Sequence, residues 1–198
     1  MSLENNKKIT IGICGAPSSG KTTVSQLLRW KIQEVAPVSR EVPREYARHY
    51  MEKYGPIENI HQQLLIYDGQ TKLEKQIRNT YDMTISDSPR FLSYIYSKSF
   101  YNYKNKHERA SLVRIYELAL ESLEDYDAIY LLPPSKNIEQ DGIRCQNEND
   151  ACIIFEDIKI FLQTHCPDLM FFIQDHKKEE NLKTVEFILN DLLYRGIL

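Results

Sequence analysis

The chain has 198 residues, 42% of them hydrophobic and 27% charged, with a formal net charge of −3. That is enough for one globular domain with its own core, and the acidic balance argues against nucleic-acid binding through the overall field. No run reaches the roughly 18 apolar residues of a membrane span, and the polar start from Met1 to Lys8 lacks a signal peptide's apolar core, so a cytoplasmic location is expected.

Strands and helices alternate along the chain. Ile9 to Cys14 is a short apolar run ending at Gly15, and Lys21 to Val35 follows with Val24, Leu27, Leu28 and Ile32 at helical spacing. Val38 to Val42 predicts a second strand closed by Pro43, and Ile57 to Arg78 a long helix. Asp82 to Ser86 predicts a third strand that feeds Asp87. Two helices are expected next, from Arg90 to about Tyr101 and from His107 to about Glu124, before a fourth strand over Ala128 to Leu132. Pro133-Pro134 stops that strand, and the polar stretch from Ser135 to Asn149 has no period and reads as a loop or moving element. A helix over Ala151 to Thr164, a fifth strand over Leu169 to Ile173 and a closing helix over Glu179 to Leu193 complete the order. Such alternation predicts a single α/β domain over 1–198, with a five-stranded, mostly parallel sheet covered by helices on both faces.

Between the first strand and first helix lies Gly15-Ala16-Pro17-Ser18-Ser19-Gly20-Lys21-Thr22, which fits G-x-x-x-x-G-K-[ST], the phosphate-binding P-loop, and Thr23 follows it. Glycines let successive backbone N–H groups turn inward around an anion, and the helix adds its positive end. Lys21 would reach the β- and γ-phosphates of ATP, and the Thr22 hydroxyl would ligate Mg²⁺. The second anion such a site needs is expected at the carboxyl end of a neighbouring strand, where Asp87 stands. Asp87 could instead cap the helix expected from Arg90.

Two classes of P-loop protein are disfavoured. A regulatory GTPase reads guanine through Asn-Lys-x-Asp after a late strand, but Asn105-Lys106-His107-Glu108 ends in Glu and follows no strand. An oligomeric motor needs a helical lid domain after its core, for which no chain remains. Small kinases are left, and they need an acceptor pocket, a group to orient the acceptor hydroxyl and a cationic lid. In "VPREYARHY", Glu45 is the candidate for the hydroxyl and Arg44 or Arg48 for phosphate or substrate, although "REYAR" could equally open a solvated helix. Arg144 beside Gly142 suits a lid over about 135–150, which could also be a plain surface loop. The aromatic stretch from Phe91 to Tyr103 could stack a flat ring, and is more often core. Cys14, Cys145, Cys152 and Cys166 have no CxxC spacing and suggest neither zinc nor a redox pair; buried packing is expected of Cys14.

With "GAPSSGKTT", "REYAR", "GQTKLE" (Gly69 to Glu74), Asp87, "YDAIYLLPP" and "QDGIR" in this order, the chain resembles the ribosylnicotinamide-kinase type of P-loop ATPase, which includes the kinase domain of NadR proteins. The resemblance implies a three-layer α/β/α fold, a nucleoside- or nucleotide-kinase-like P-loop NTPase with a role in NAD metabolism. It implies phosphoryl transfer from ATP with Mg²⁺ to a nucleoside-like hydroxyl. By matching position it supports Glu45 and Arg48 near the acceptor, Asp87 at the metal and Arg144 in the lid. The chain departs from that family after the third strand. Relatives carry Asp-Thr-Asp and a Thr pair where this chain has Asp87-Ser88-Pro89-Arg90, so a second carboxylate has become Pro89. Asp87 and Arg90 instead resemble the Asp-Arg pairs of nucleotide kinases, which widens the expected acceptor to a nucleoside monophosphate and makes Arg90→Ala an expected KM variant. The rival expectation is an ATP-binding or ATP-hydrolysing regulator that signals to a protein partner. Adenylyl transfer and DNA binding, fused to this domain in some relatives, are not expected.

Overall fold

The computed structural model describes residues 8–100, 103, 105–135, 147–173 and 180–198. β1 (Ile9–Gly15) lies at the centre of five parallel strands in the order β2-β3-β1-β4-β5, with β2 over Arg40–Glu41, β3 over Met83–Ser86, β4 over Ala128–Leu132 and β5 over Met170–Phe172. Seven α-helices occur among the described residues: α1 (Lys21–Val35), α2 (Tyr46–Tyr54), α3 (Ile60–Thr80), α4 (Leu92–Phe100), α5 (Lys106–Leu123), α6 (Glu148–His165) and α7 (Asn181–Tyr194). None is long and apolar enough to cross a membrane.

Helices cover both faces, so the central strands are apolar on both sides. On β4, Ala128, Tyr130 and Leu132 pack towards α1 and α7 against Val24, Leu28, Val185 and Ile188. Ile129 and Leu131 point the other way, to Phe91, Ala119, Ile154 and Ile158 of the α4–α6 side. The period of two along the strand thus divides the core into two layers. The aromatic stretch expected either to stack a substrate or to fill core is used in packing: Phe91 is fully buried and stacks on Phe161, and Tyr94 packs on Tyr116. Cys14 and Cys166 are buried free thiols, and Cys152 is an exposed one.

The elements depart from sequence expectation where local chemistry was underread. The starts of α3, α5 and α6 are set by reciprocal caps at Asn59–Gln62, Asn105–Glu108 and Asn147–Asp150. Asn105-Lys106-His107-Glu108, weighed above as a guanine reader, is therefore a helix start. The second strand shrinks to Arg40–Glu41 at the edge of the sheet, because Pro37 and Pro43 on either side cannot donate to a ladder.

Candidate functional site

The sheet order brings the ends of β1 and β3 together. Gly12 pairs with Ser86, so Asp87 emerges alongside the strand that leads into the loop. Gly15 closes β1 at φ 155, and a Cβ there would stand 2.7 Å from the Leu132 carbonyl oxygen and 2.8 Å from Ser19 Oγ. Only glycine allows that close exit between β1 and β4. Ser18 is the one non-glycine residue with positive φ among the described residues, at 61°, and such strain concentrates at functional turns. Gly20 follows at φ 84 as the N-cap of α1; no side chain caps this helix and its first turn holds no acidic residue. Its positive end therefore faces the loop without a competing carboxylate. Lys21 bends back over the loop, with Nζ donating to the carbonyls of Gly15 (3.1 Å) and Ala16 (2.8 Å).

Asp87 is 5% exposed, and its Oδ1 is buried with no hydrogen-bond partner among the described residues. The Thr22 hydroxyl bonds the same carboxylate. The pKa of Asp87 is raised to about 6: burial raises it most and the Glu45 charge adds to that, while Thr22 and Lys21 pull against both. An orphaned carboxylate oxygen beside a threonine hydroxyl and at the mouth of a P-loop fits a hard divalent cation such as Mg²⁺. Asp87 does not cap α4, which begins at Leu92 after a turn through Pro89 to Phe91.

This placement predicts a cost to stability. The folded pKa lies above the ordinary aspartate value of 3.8, so the folded state binds the proton more tightly than the unfolded one. The destabilisation is then full above about pH 6 and is relieved as pH falls towards 4. In the absence of divalent cations, Asp87→Asn is expected to stabilise the protein at pH 8 by about 1–3 kcal/mol and by roughly half as much at pH 5. Thermal unfolding at the two pH values checks this, and a variant less stable than wild type at pH 8 would contradict it.

Glu45 sits at the N-cap of α2 and makes no side-chain cap hydrogen bond there. Its charge reaches Asp87, so the two carboxylates share one end of the site. Arg44 is exposed beside it, and Arg48 lies 3.7 Å from Glu52 one turn along the helix. "REYAR" opens a helix, as one of the two expectations had it, with Glu45 at its N-cap. Arg144, with 136–146 of the expected lid, lies outside the described residues.

Arg90 is corrected. It is 6% exposed, its Nε pairs with Glu74 Oε2 at 2.9 Å and its NH2 is bonded to Asp125. Asp125 lies in the turn before β4, at the opposite end of the sheet from the P-loop, so the guanidinium points away from any acceptor. The argument for a phosphorylated acceptor falls with it. Pro89 is buried over β1, 3.2 Å from where a Gly12 Cβ would be, so the missing carboxylate's position serves packing. Glu74 itself was recognised in the sequence only as part of "GQTKLE". Burial pushes its carboxyl above the usual range, while Arg90 and hydrogen bonds from Ser86, Gln70 and Tyr126 act to keep it ionised.

A P-loop after the central strand, a buried carboxylate after its neighbour and helices on both faces define a P-loop NTPase fold of the nucleoside-kinase kind. The chain belongs to a family of AAA domains (AAA_28), whose model matches residues 10–182. No curated protein sequence matches it. Among solved structures, a NadR protein in complex with NAD and AMP-PNP aligns with TM-score 0.70 and 16% identity, over 91% of this chain and 48% of that one. A NadR protein in complex with NR aligns with TM-score 0.67 and 18% identity, over 85% and 46%. This chain therefore spans about half the length of the NadR chains. Deoxyadenosine kinase from M. mycoides with bound dATP aligns with TM-score 0.64 and 20% identity, over 93% of this chain and 98% of that one. At these identities the likeness is one of fold, and it agrees with the fold that the resemblance implied.

Proposed function

We propose that this protein is a small-molecule kinase that transfers the γ-phosphoryl group of ATP to a hydroxyl of a nucleoside-like acceptor. One observation carries the reading: two carboxylates, Asp87 and Glu45, converge beside Lys21 and Thr22 at the mouth of the P-loop. A carboxylate beyond the one the metal needs is available as a base for an attacking hydroxyl. In this reading the loop amides of residues 15–20 and the start of α1 hold the triphosphate, and Lys21 stabilises charge on the transferring group. Thr22 and Asp87 hold Mg²⁺, which neutralises phosphate charge when bound. Glu45 orients the acceptor hydroxyl and takes its proton, Arg48 lies nearby for the acceptor, and Arg144 is assigned to the lid. The protein is taken to act as one domain in the cytoplasm.

NadR proteins supply the leading acceptor, nicotinamide riboside, and the M. mycoides enzyme suggests deoxyadenosine. The test is ADP formation from ATP and Mg²⁺ with a panel of these and other nucleosides. Acceptor-dependent ADP formation with a phosphorylated product is expected. If no acceptor raises turnover above the basal rate, the kinase reading is overturned, and a nucleotide-dependent regulator remains.

A further inference from the structure

α2 carries Glu45 at its N-cap, yet none of its own residues is buried. With its side chains at most half-buried, the helix has no deeply buried anchor, so its contacts with a neighbour decide where it starts. They come from α3. A Cβ on Gly69 would stand 2.2 to 2.4 Å from three atoms of the Tyr46 ring, so the ring lies directly against the bare backbone of α3. Next to it, Gln70 Oε1 accepts from the Tyr46 N–H at 3.0 Å, the first amide of α2. Helix starts leave such amides without partners, and an N-cap side chain reaches the second or third amide, so the first needs a partner from elsewhere. Here α3 supplies it.

The orientation of Gln70 is itself determined. Its Nε2 donates to Glu74 Oε1 at 3.3 Å, and an ionised carboxylate can only accept. The amide must therefore turn its NH₂ to Glu74 and its oxygen to α2. Glu74 is held in turn by Arg90 and by Ser86 Oγ, which donates to it at 2.6 Å. Ser86 immediately precedes Asp87. One buried carboxylate thus braces both the strand end that bears Asp87 and the glutamine that bears on Glu45's helix.

We propose that Gly69 and Gln70 are positioning residues for Glu45: together they dock and cap the start of α2 from outside, which leaves the Glu45 carboxylate to face the acceptor site. The proposal rests on the reading of Glu45 as the acceptor-orienting group. The chemistry that needs this device is transfer to an alcohol, where the orienting carboxylate must be held to within fractions of an ångström.

Two variants test it. Gln70→Met keeps the volume and removes the acceptor oxygen. Gly69→Ala displaces the Tyr46 ring while favouring helix in α3, so any loss it causes cannot come from a weakened α3. Hydrogen exchange over residues 43–54 and acceptor kinetics are read for both, with binding of a non-hydrolysable ATP analogue as the reference. Expected are roughly tenfold faster exchange in 43–54 and a roughly tenfold lower kcat/KM for the acceptor, while analogue affinity stays within about twofold. Unchanged acceptor kcat/KM in either variant overturns the proposal. So does a loss of analogue affinity with faster exchange throughout the sheet, which would mean general destabilisation. If wild type transfers to no acceptor, the kinase reading fails separately, and unchanged exchange over 43–54 in both variants would still refute the dock.

Discussion

Lys21→Ala is expected to lower phosphoryl transfer by roughly 10²- to 10³-fold or more while leaving the protein folded. Lys21 is the first residue of α1 and is only half-buried, and its Nζ donates to the carbonyls of Gly15 and Ala16 in the loop it would serve. Alanine is the better helix former, so the folded state loses little. The lost cation is the group best placed to balance charge that develops as the γ-phosphoryl group leaves. Initial rates with a productive acceptor, read beside thermal unfolding, decide the matter. A folded variant with near-wild-type turnover would remove Lys21 from the chemistry and take the proposed function with it.

The largest loss of stability is expected at the buried pair behind the site. Glu74 and Arg90 each have side chains about 6% exposed, and they meet at 2.9 Å. Removing one partner leaves the other charged and desolvated, so Glu74→Ala and Arg90→Ala should each cost about 3–5 kcal/mol. For a chain of this size that is a fall in Tm of roughly 6–20 °C. Glu74→Ala also strips acceptors from Ser86, Gln70 and Tyr126, and should be at the upper end. Replacing both residues by methionine should cost distinctly less than the sum of the single methionine variants, because no unpaired charge remains between them. Chemical denaturation of the single and double variants measures this. An Arg90→Ala protein of wild-type stability with a raised acceptor KM would restore Arg90 as a phosphate partner. The same single variants probe the dock indirectly, since Glu74 determines which way the Gln70 amide faces.

Aspects of this molecule that arise within a few residues were readable from the chain alone. The P-loop is continuous from Gly15 to Thr22, and its strand and helix adjoin it, so loop, cation and helix end came as one pattern. Asp87 was legible because it directly follows a short strand readable in the sequence. The parallel sheet was legible because strands buried on both faces read as unbroken apolar runs. The helix starts at Asn59, Asn105 and Asn147 were also there to be read, in the Asn-x-x-Gln/Glu/Asp spacing that the apolar period hides. α2 was harder to place, because it is short and its side chains are at most half-buried, so no deeply buried apolar run marks it.

The chain by itself thus determined the P-loop and its lysine, since that motif needs only local backbone geometry and adjacent residues. What the tertiary structure alone decided is which charges are available to a substrate. Arg90 follows Asp87 closely and looks like an acceptor contact, but Glu74 of α3 and Asp125 before β4 bind it in the interior. Glu45 stands at the N-cap of α2 but makes no side-chain cap bond there, while Gln70 of α3 takes the first amide of that helix. A side chain's charge is written in its residue type, whereas its partner is chosen by packing between segments far apart in sequence, and desolvation then binds the two together.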